Sequence, residues 1–231
     1  MKVKYGGGIV DARGSLAGNT YSRNHYGAYV RARTSPINPN TGRQQTVKNA
    51  VAFIADRWAN VLTAAQRAAW DLYGSSVAML DSMGSTMYLT GYNHYIRSNV
   101  PLKQTGAALI DPGPTVFELP AHDPTLSFGV SEATQNFTVN YDDTMDYADE
   151  DGGRMFLFGG KPQNAQRNFF GGPFRYYGQV IGVNGAPPAS PHVGASGYIV
   201  AEGQHIWIQA RISRADGRLS EPFRADSFCL A

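Results

Sequence analysis

Cysteine is nearly absent. Cys229 stands alone among 231 residues, which excludes an intramolecular disulfide and suits a reducing compartment. Its expected role is a small core filler or a surface thiol. Long apolar runs are missing too: no stretch approaches the ~18 consecutive apolar residues of a membrane span. Met1-Lys2-Val3-Lys4-Tyr5-Gly6 lacks the apolar segment of a secretion signal. A soluble protein made in the cytoplasm, without a membrane partner, is expected.

Catalytic signatures are equally scarce. The five histidines, His25, His94, His122, His192 and His205, are scattered, with no His-Glu-x-x-His and no cysteine at metal spacing. There is no Gly-x-Ser-x-Gly elbow, no phosphate-binding loop and no Gly-x-Gly-x-x-Gly after a strand. The expectation is a protein that is not an enzyme, with no catalytic residue and no cofactor. One acidic run, Asp142, Asp143, Asp146, Asp149, Glu150 and Asp151, raises the question of a metal. Asp149-x-Asp151-Gly152 matches part of a calcium loop, but Tyr147 fills the preceding ligand slot. Phe158 stands where the bidentate glutamate belongs, so the EF-hand pattern fails. Three readings stay open: a solvated turn, an acidic docking patch, and an irregular cation site at Asp149 and Asp151.

What the chain does have is glycine, proline and aromatic residues: 26 Gly, 13 Pro and 12% Phe, Trp and Tyr, a composition for strands and turns. Its charge is unevenly placed. Residues 1–48 carry eight cations against Asp11 alone, a net +7, which leaves −5 for the remainder of a chain whose total is +2. A positive arm and a negative loop on one chain point to a polyanion or to other copies as partners.

Residues 1–40 read as an extended, basic, glycine-rich arm. A β-hairpin turning near Asn24-His25 is expected, with Tyr26, Ala28, Val30 and Ala32 on one face and Tyr29, Arg31 and Arg33 on the other. Regular structure should stop at Ser35-Pro36-Ile37-Asn38-Pro39-Asn40. A helical unit follows over 41–100. Thr41 with Gln44, and Thr63 with Gln66, are capping boxes. Val47, Val51, Ile54, Trp58 and Leu62 form an apolar stripe; Gly74 should stop the second helix, and a third should run from Thr90 to before Pro101. Residues 101–124, with five prolines, read as a stiff linker. From 125 to 231 the period becomes two, and strands are expected at 126–130, 136–141, 154–158, 175–183, 197–201, 204–213 and 224–230. The fold class is α+β: arm or hairpin, small helical hub, and C-terminal antiparallel β-sandwich.

Several stretches of text carry a resemblance. Gly18-Asn-Thr-Tyr-Ser-Arg-Asn24, Tyr26-Gly-Ala-Tyr-Val-Arg-Ala-Arg-Thr34, Asn38-Pro-Asn-Thr41, Leu62-Thr-Ala-Ala-Gln-Arg-Ala-Ala-Trp70 and Leu89-Thr-Gly-Tyr-Asn93 are the matching segments. Over residues 14–100 the chain resembles virion-type proteins encoded by tailed bacteriophages and prophage regions. The C-terminal part is similar in strand count and spacing to fibronectin type III or immunoglobulin-like modules. The first resemblance implies a structural virion protein, made in the host cytoplasm. Such a protein would be a capsid decoration or cement protein, or a neck or tail component.

The arm then becomes the expected partner site. Arg13, Arg23, Tyr26, Tyr29, Arg31 and Arg33 alternate cations with rings, which can pair with anions and pack. Docking to other virion proteins or to copies of the same chain is the leading reading. Contact with nucleic-acid phosphates and a solvated edge strand are the others. An alternative function places host-glycan recognition on the sandwich, through Trp207, Tyr176 and Tyr177.

Overall fold

Three threonines start the three helices. The computed structural model describes residues 1–35, 38–81 and 83–231. In it Thr41 caps α1 (Gly42–Asn60), Thr63 caps α2 (Ala64–Ser76) and Thr90 caps α3 (Gly91–Thr105). The first two are full capping boxes, in which the threonine oxygen meets the amide of Gln44 or Gln66 and the glutamine oxygen meets the threonine's own amide.

Two expected stops lie inside helices instead. Helix α2 continues past Gly74 to Ser76, because that glycine serves packing: a Cβ there would stand 2.5 Å from the Leu89 carbonyl. Gly91 faces the backbone of Trp70 and Asp71 in the same way, so α2 and the start of α3 touch backbone to backbone. Helix α3 carries Pro101 in its interior and ends at Gly106, whose φ of 72° supplies a left-handed cap. The apolar stripe of α1 is half used. Ile54 and Leu62 are buried and Trp58 is half-buried, while Val47 and Val51 stay exposed.

Ile54, Leu62, Trp70, Tyr73, Val77 and Tyr95 form the helical core. Residues 107–119, within the stretch read as a linker, lie along it. Asn99 exchanges two hydrogen bonds with the backbone of Ile110, and the Trp70 indole donates to the Asp111 carbonyl at 2.9 Å. The Asp111 carboxylate accepts from Arg57 Nε at 2.8 Å, from Arg57 Nη2 and from the Tyr95 hydroxyl. A short hairpin of β4 (Ala78–Leu80) and β5 (Thr86–Tyr88) joins α2 to α3.

At the N-terminus, β1 (Gly14–Leu16), β2 (Asn19–Asn24) and β3 (Gly27–Ala32) form an antiparallel sheet in that order. The turn falls at His25-Tyr26 as expected, with Asn24 Oδ1 accepting from the Tyr26 amide at 3.0 Å. Residues 1–3 return along the free edge of β3: Lys2 bridges Tyr29, and Val30 N–H donates to the Met1 carbonyl at 2.7 Å. The segment expected as an arm is therefore a small folded sheet. Of the break expected over 35–40, Pro36 and Ile37 lie outside the described residues, and 38–40 are irregular.

The C-terminal unit contains β6 (Ser127–Ser131), β7 (Asn136–Asn140), β8 (Arg154–Gly159), β9 (Arg175–Ile181), β10 (His192–Ala195), β11 (His205–Ser213) and β12 (Phe223–Leu230). They run in the order β10-β7-β6-β12-β11-β8-β9. All neighbours are antiparallel except β6 and β12, whose parallel register is Val130 with Cys229 and Ser131 with Leu230. The sheet curls until β9 and β10 approach, enclosing Phe137, Val139, Met155, Leu157, Ile208 and Ala210 at zero exposure. Such side chains stabilise by about 1.5–3 kcal/mol each when fully buried.

Six expected strands form; the one expected at 197–201 does not, and β10 lies earlier. The Gln135 side chain takes its place as partner. Its Oε1 accepts from Val200 N–H at 2.9 Å and its Nε2 donates to the Val200 carbonyl at 2.8 Å, anchoring an irregular segment through one buried valine. Leu102, Phe156 and Leu219 join the helices to the sheet, and Arg97 donates to the carbonyls of Leu219 and Ser220. The molecule is α+β.

Candidate partner interface

The N-terminal sheet has ladder hydrogen bonds but no core. None of its strand residues is buried. The register sets Tyr21 opposite Val30 and Arg23 opposite Ala28 on one face. Thr20 opposite Arg31 and Ser22 opposite Tyr29 lie on the other. Two polar contacts tie it to the helical unit. Lys2 Nζ meets Asp81 Oδ2 at 2.9 Å, and Asn93 Nδ2 donates to the Tyr26 hydroxyl at 2.8 Å.

The six residues expected to bind a partner separate into roles. Tyr26 already holds the sheet to α3, and Arg13 pairs with Asp11 at 3.1 Å. Tyr29 sits half-buried beside Lys2. Arg23, Arg31 and Arg33 have no carboxylate at salt-bridge distance among the described residues. They do not form one patch, since Arg23 and Arg31 project from opposite faces. The alternation of cation and ring is legible in the sequence; the use of Tyr26 and Lys2 as tethers is not.

A scan against models of known protein families and a search of curated proteins return no match.

The acidic run is spent inside the molecule. Arg214 pairs with Glu150 at 2.5 Å and with Asp146 at 3.1 Å. Asp149 accepts from Gly185 N–H at 2.6 Å and Asp151 from Asn184 N–H at 3.1 Å, so the run fastens the turn after β9. Among the described residues no group of three or more His, Cys, Asp or Glu side chains is placed to hold a metal ion. Likewise, no helix there is long and apolar enough to cross a membrane.

The proposed glycan aromatics do not share a surface. Trp207 is buried under Phe170, with ring centroids 5.9 Å apart, and Tyr176 packs on Phe158 at 6.0 Å. Tyr177 belongs to the interior, tilted on Phe137 at 5.5 Å. The exposed ring nearby is Phe169, at 68% exposure, with the Arg224 guanidinium 5.8 Å from its centre.

Among the histidines, His205 alone meets a carboxylate at salt-bridge distance in the described residues. Its Nε2 lies 2.6 Å from Asp226 Oδ2 and its Nδ1 2.9 Å from the Arg167 carbonyl. His122 stacks on Phe223, and His94 is buried between helices, where desolvation pulls it down to about 4. Burial pushes the Cys229 thiol up, away from nucleophilic use.

Proposed function

We propose that this chain is a non-enzymatic structural component of a phage-type particle, and that its N-terminal sheet docks onto neighbouring subunits. The supporting observation is a folded three-stranded sheet with no buried residue, two polar tethers and three unpaired arginines. Small sheets of this kind need a hydrophobic face against something else for stability. Tyr21 and Val30 provide the apolar part of that face, and the short β1 edge offers backbone groups for strand addition. Partners are other virion proteins or copies of the same chain. The site of action is the particle, as a decoration, cement, neck or tail protein.

The C-terminal unit is read as a sandwich of the fibronectin III or immunoglobulin kind. Strands β10-β7-β6 form one antiparallel layer and β12-β11-β8-β9 the other, and only two parallel pairs join them. Such a rigid body would project from, or seal, the junction that the N-terminal sheet engages.

Deleting residues 1–34 tests the docking. The truncated chain keeps both main cores and should fold, yet fail to enter its particle. Incorporation at normal stoichiometry would refute the proposal.

A further inference from the structure

Away from the N-terminal sheet, a groove of about 630 Å³ runs between the first turns of α1 and the start of β9. Arg43, Val47 and Lys48 line one wall, and Phe174 and Arg175 the other. A second hollow of about 280 Å³ shares Arg43 and Val47 and extends the groove to Tyr176 and Gln104. Among the described residues no acidic side chain lines either part. Arg43 and Lys48 are exposed and have no carboxylate partner at salt-bridge distance among the described residues; Arg175 is exposed too, its guanidinium lying 5.0 Å from the centre of the Tyr198 ring.

Several features set this groove apart from an ordinary solvated basic face. Helix α1 has no acidic residue in its first turn and carries Arg43 there, so the cation opposes the helix dipole instead of complementing it. No carboxylate of that first turn offsets it. Both walls are also rigid. Phe174 is fixed edge-on to Phe170 at 5.3 Å and under the Arg224 guanidinium at 5.0 Å, and Phe170 stacks on Trp207. The opposite wall is a capped helix. Phe174, just before β9, and Tyr176, within it, are two residues apart, at most about 7 Å along the chain. That is about twice the ~3.4 Å spacing of stacked bases in duplex DNA, a separation suited to bases unstacked along a single strand.

A cationic, elongated groove with aromatic faces at intervals is the architecture that follows a phosphate backbone while rings take the bases. We propose that this groove is a binding track for single-stranded nucleic acid, contacted at phosphates by Arg43, Lys48 and Arg175 and stacked upon by Phe174. Phosphate contacts and ring stacking carry no base identity, so binding is expected to tolerate sequence.

The test uses the full chain and a fluorescently labelled 15-nucleotide thymidine oligomer, read by anisotropy across a salt series. Three neutralised phosphates predict a log–log salt slope of about −2, from roughly −0.7 per phosphate on single strands. The double variant Arg43→Glu/Arg175→Glu should weaken binding at least about tenfold and flatten the slope. Phe174→Ala should weaken it about fivefold or more, within the range for a stacked base, with the slope unchanged. Arg23→Glu/Arg31→Glu, on the N-terminal sheet, should bind as the parent does. No binding at low salt would overturn the proposal, as would loss that follows the sheet variant and spares the groove variant. A synthetic peptide of residues 142–151 binding in the groove where the oligomer does not would make it a protein contact, and would overturn it equally.

Discussion

The N-terminal and C-terminal β-sheets differ above all in burial. The C-terminal sheet and the N-terminal sheet both consist mainly of antiparallel ladders with alternating side chains. The C-terminal strands enclose rings and aliphatics at zero exposure, while the N-terminal strands bury none. Backbone pairing is common to both, so burial is what separates the C-terminal sheet from the N-terminal one, for which we propose a partner. The largest predicted effect follows directly. Phe137→Ala should cost about 3–5 kcal/mol of unfolding free energy, measured by urea titration. Val30→Ala, a smaller truncation at a half-buried position of the small sheet, should cost no more than about 1 kcal/mol. Equal losses would erase the distinction.

Glycine gives the same contrast at a finer scale. A methyl group at Gly91 would overlap the backbone of Trp70 and Asp71, whereas one at Gly18 meets nothing within 4 Å. Gly91→Ala should therefore cost about 1–3 kcal/mol as overpacking, seen as a lowered Tm. Gly18→Ala should be neutral within about 0.5 kcal/mol.

Asp111 carries an intermediate effect. Its hydrogen bonds from Arg57, then those from Tyr95, hold its carboxyl below the ordinary carboxylate range, with burial opposing. A depressed folded value contributes stability that is present at neutral pH and lost as pH falls through that value. Asp111→Asn should remove about 1–3 kcal/mol at pH 7, the scale of losing charged hydrogen-bond partners. The deficit should shrink when the same denaturation is run near pH 3. A deficit independent of pH would show that packing, not charge, holds residues 107–119 to the helices.

The features legible in the sequence are local ones. Thr41 and Gln44 sit three apart, and Ile206, Ile208, Ala210 and Ile212 alternate in β11, so cap and core face could be read without a fold. Gly74, Pro101 and Gln135 resist such reading. Gly74 looks like a terminator until a second backbone passes against it, and Pro101 looks like a boundary until α3 proves to extend to Thr105. Gln135 replaces a strand with one side-chain amide. The candidate site divides in the same way: the alternating arginines and tyrosines are visible, but residues 1–3 are too few to show a period. Their pairing with β3, and the Lys2 tether, come only from tertiary structure.

That tether offers the smallest and most specific way to probe the comparison. The Lys2 ammonium first, then the amides of Ser85 and Met83, hold the Asp81 carboxyl down at about 2. Because the folded value is depressed, the tether is intact above the ordinary carboxylate pKa and lost as pH falls from there toward 2. Carbon-detected NMR titration of the Asp81 carboxyl should show that low midpoint in the parent chain. Lys2→Ala should return it only part of the way, since both amides remain. In that variant the Val3 amide, which donates to the Ala28 carbonyl at 3.0 Å, should exchange faster at neutral pH, while amides of β11 keep their protection. Unchanged exchange at Val3 would mean that the β3 edge, rather than the ion pair, holds the N-terminus. Faster exchange confined to residues 1–3 and 28–30 would show that the small sheet can loosen while the large one stays closed, as the docking proposed for it requires.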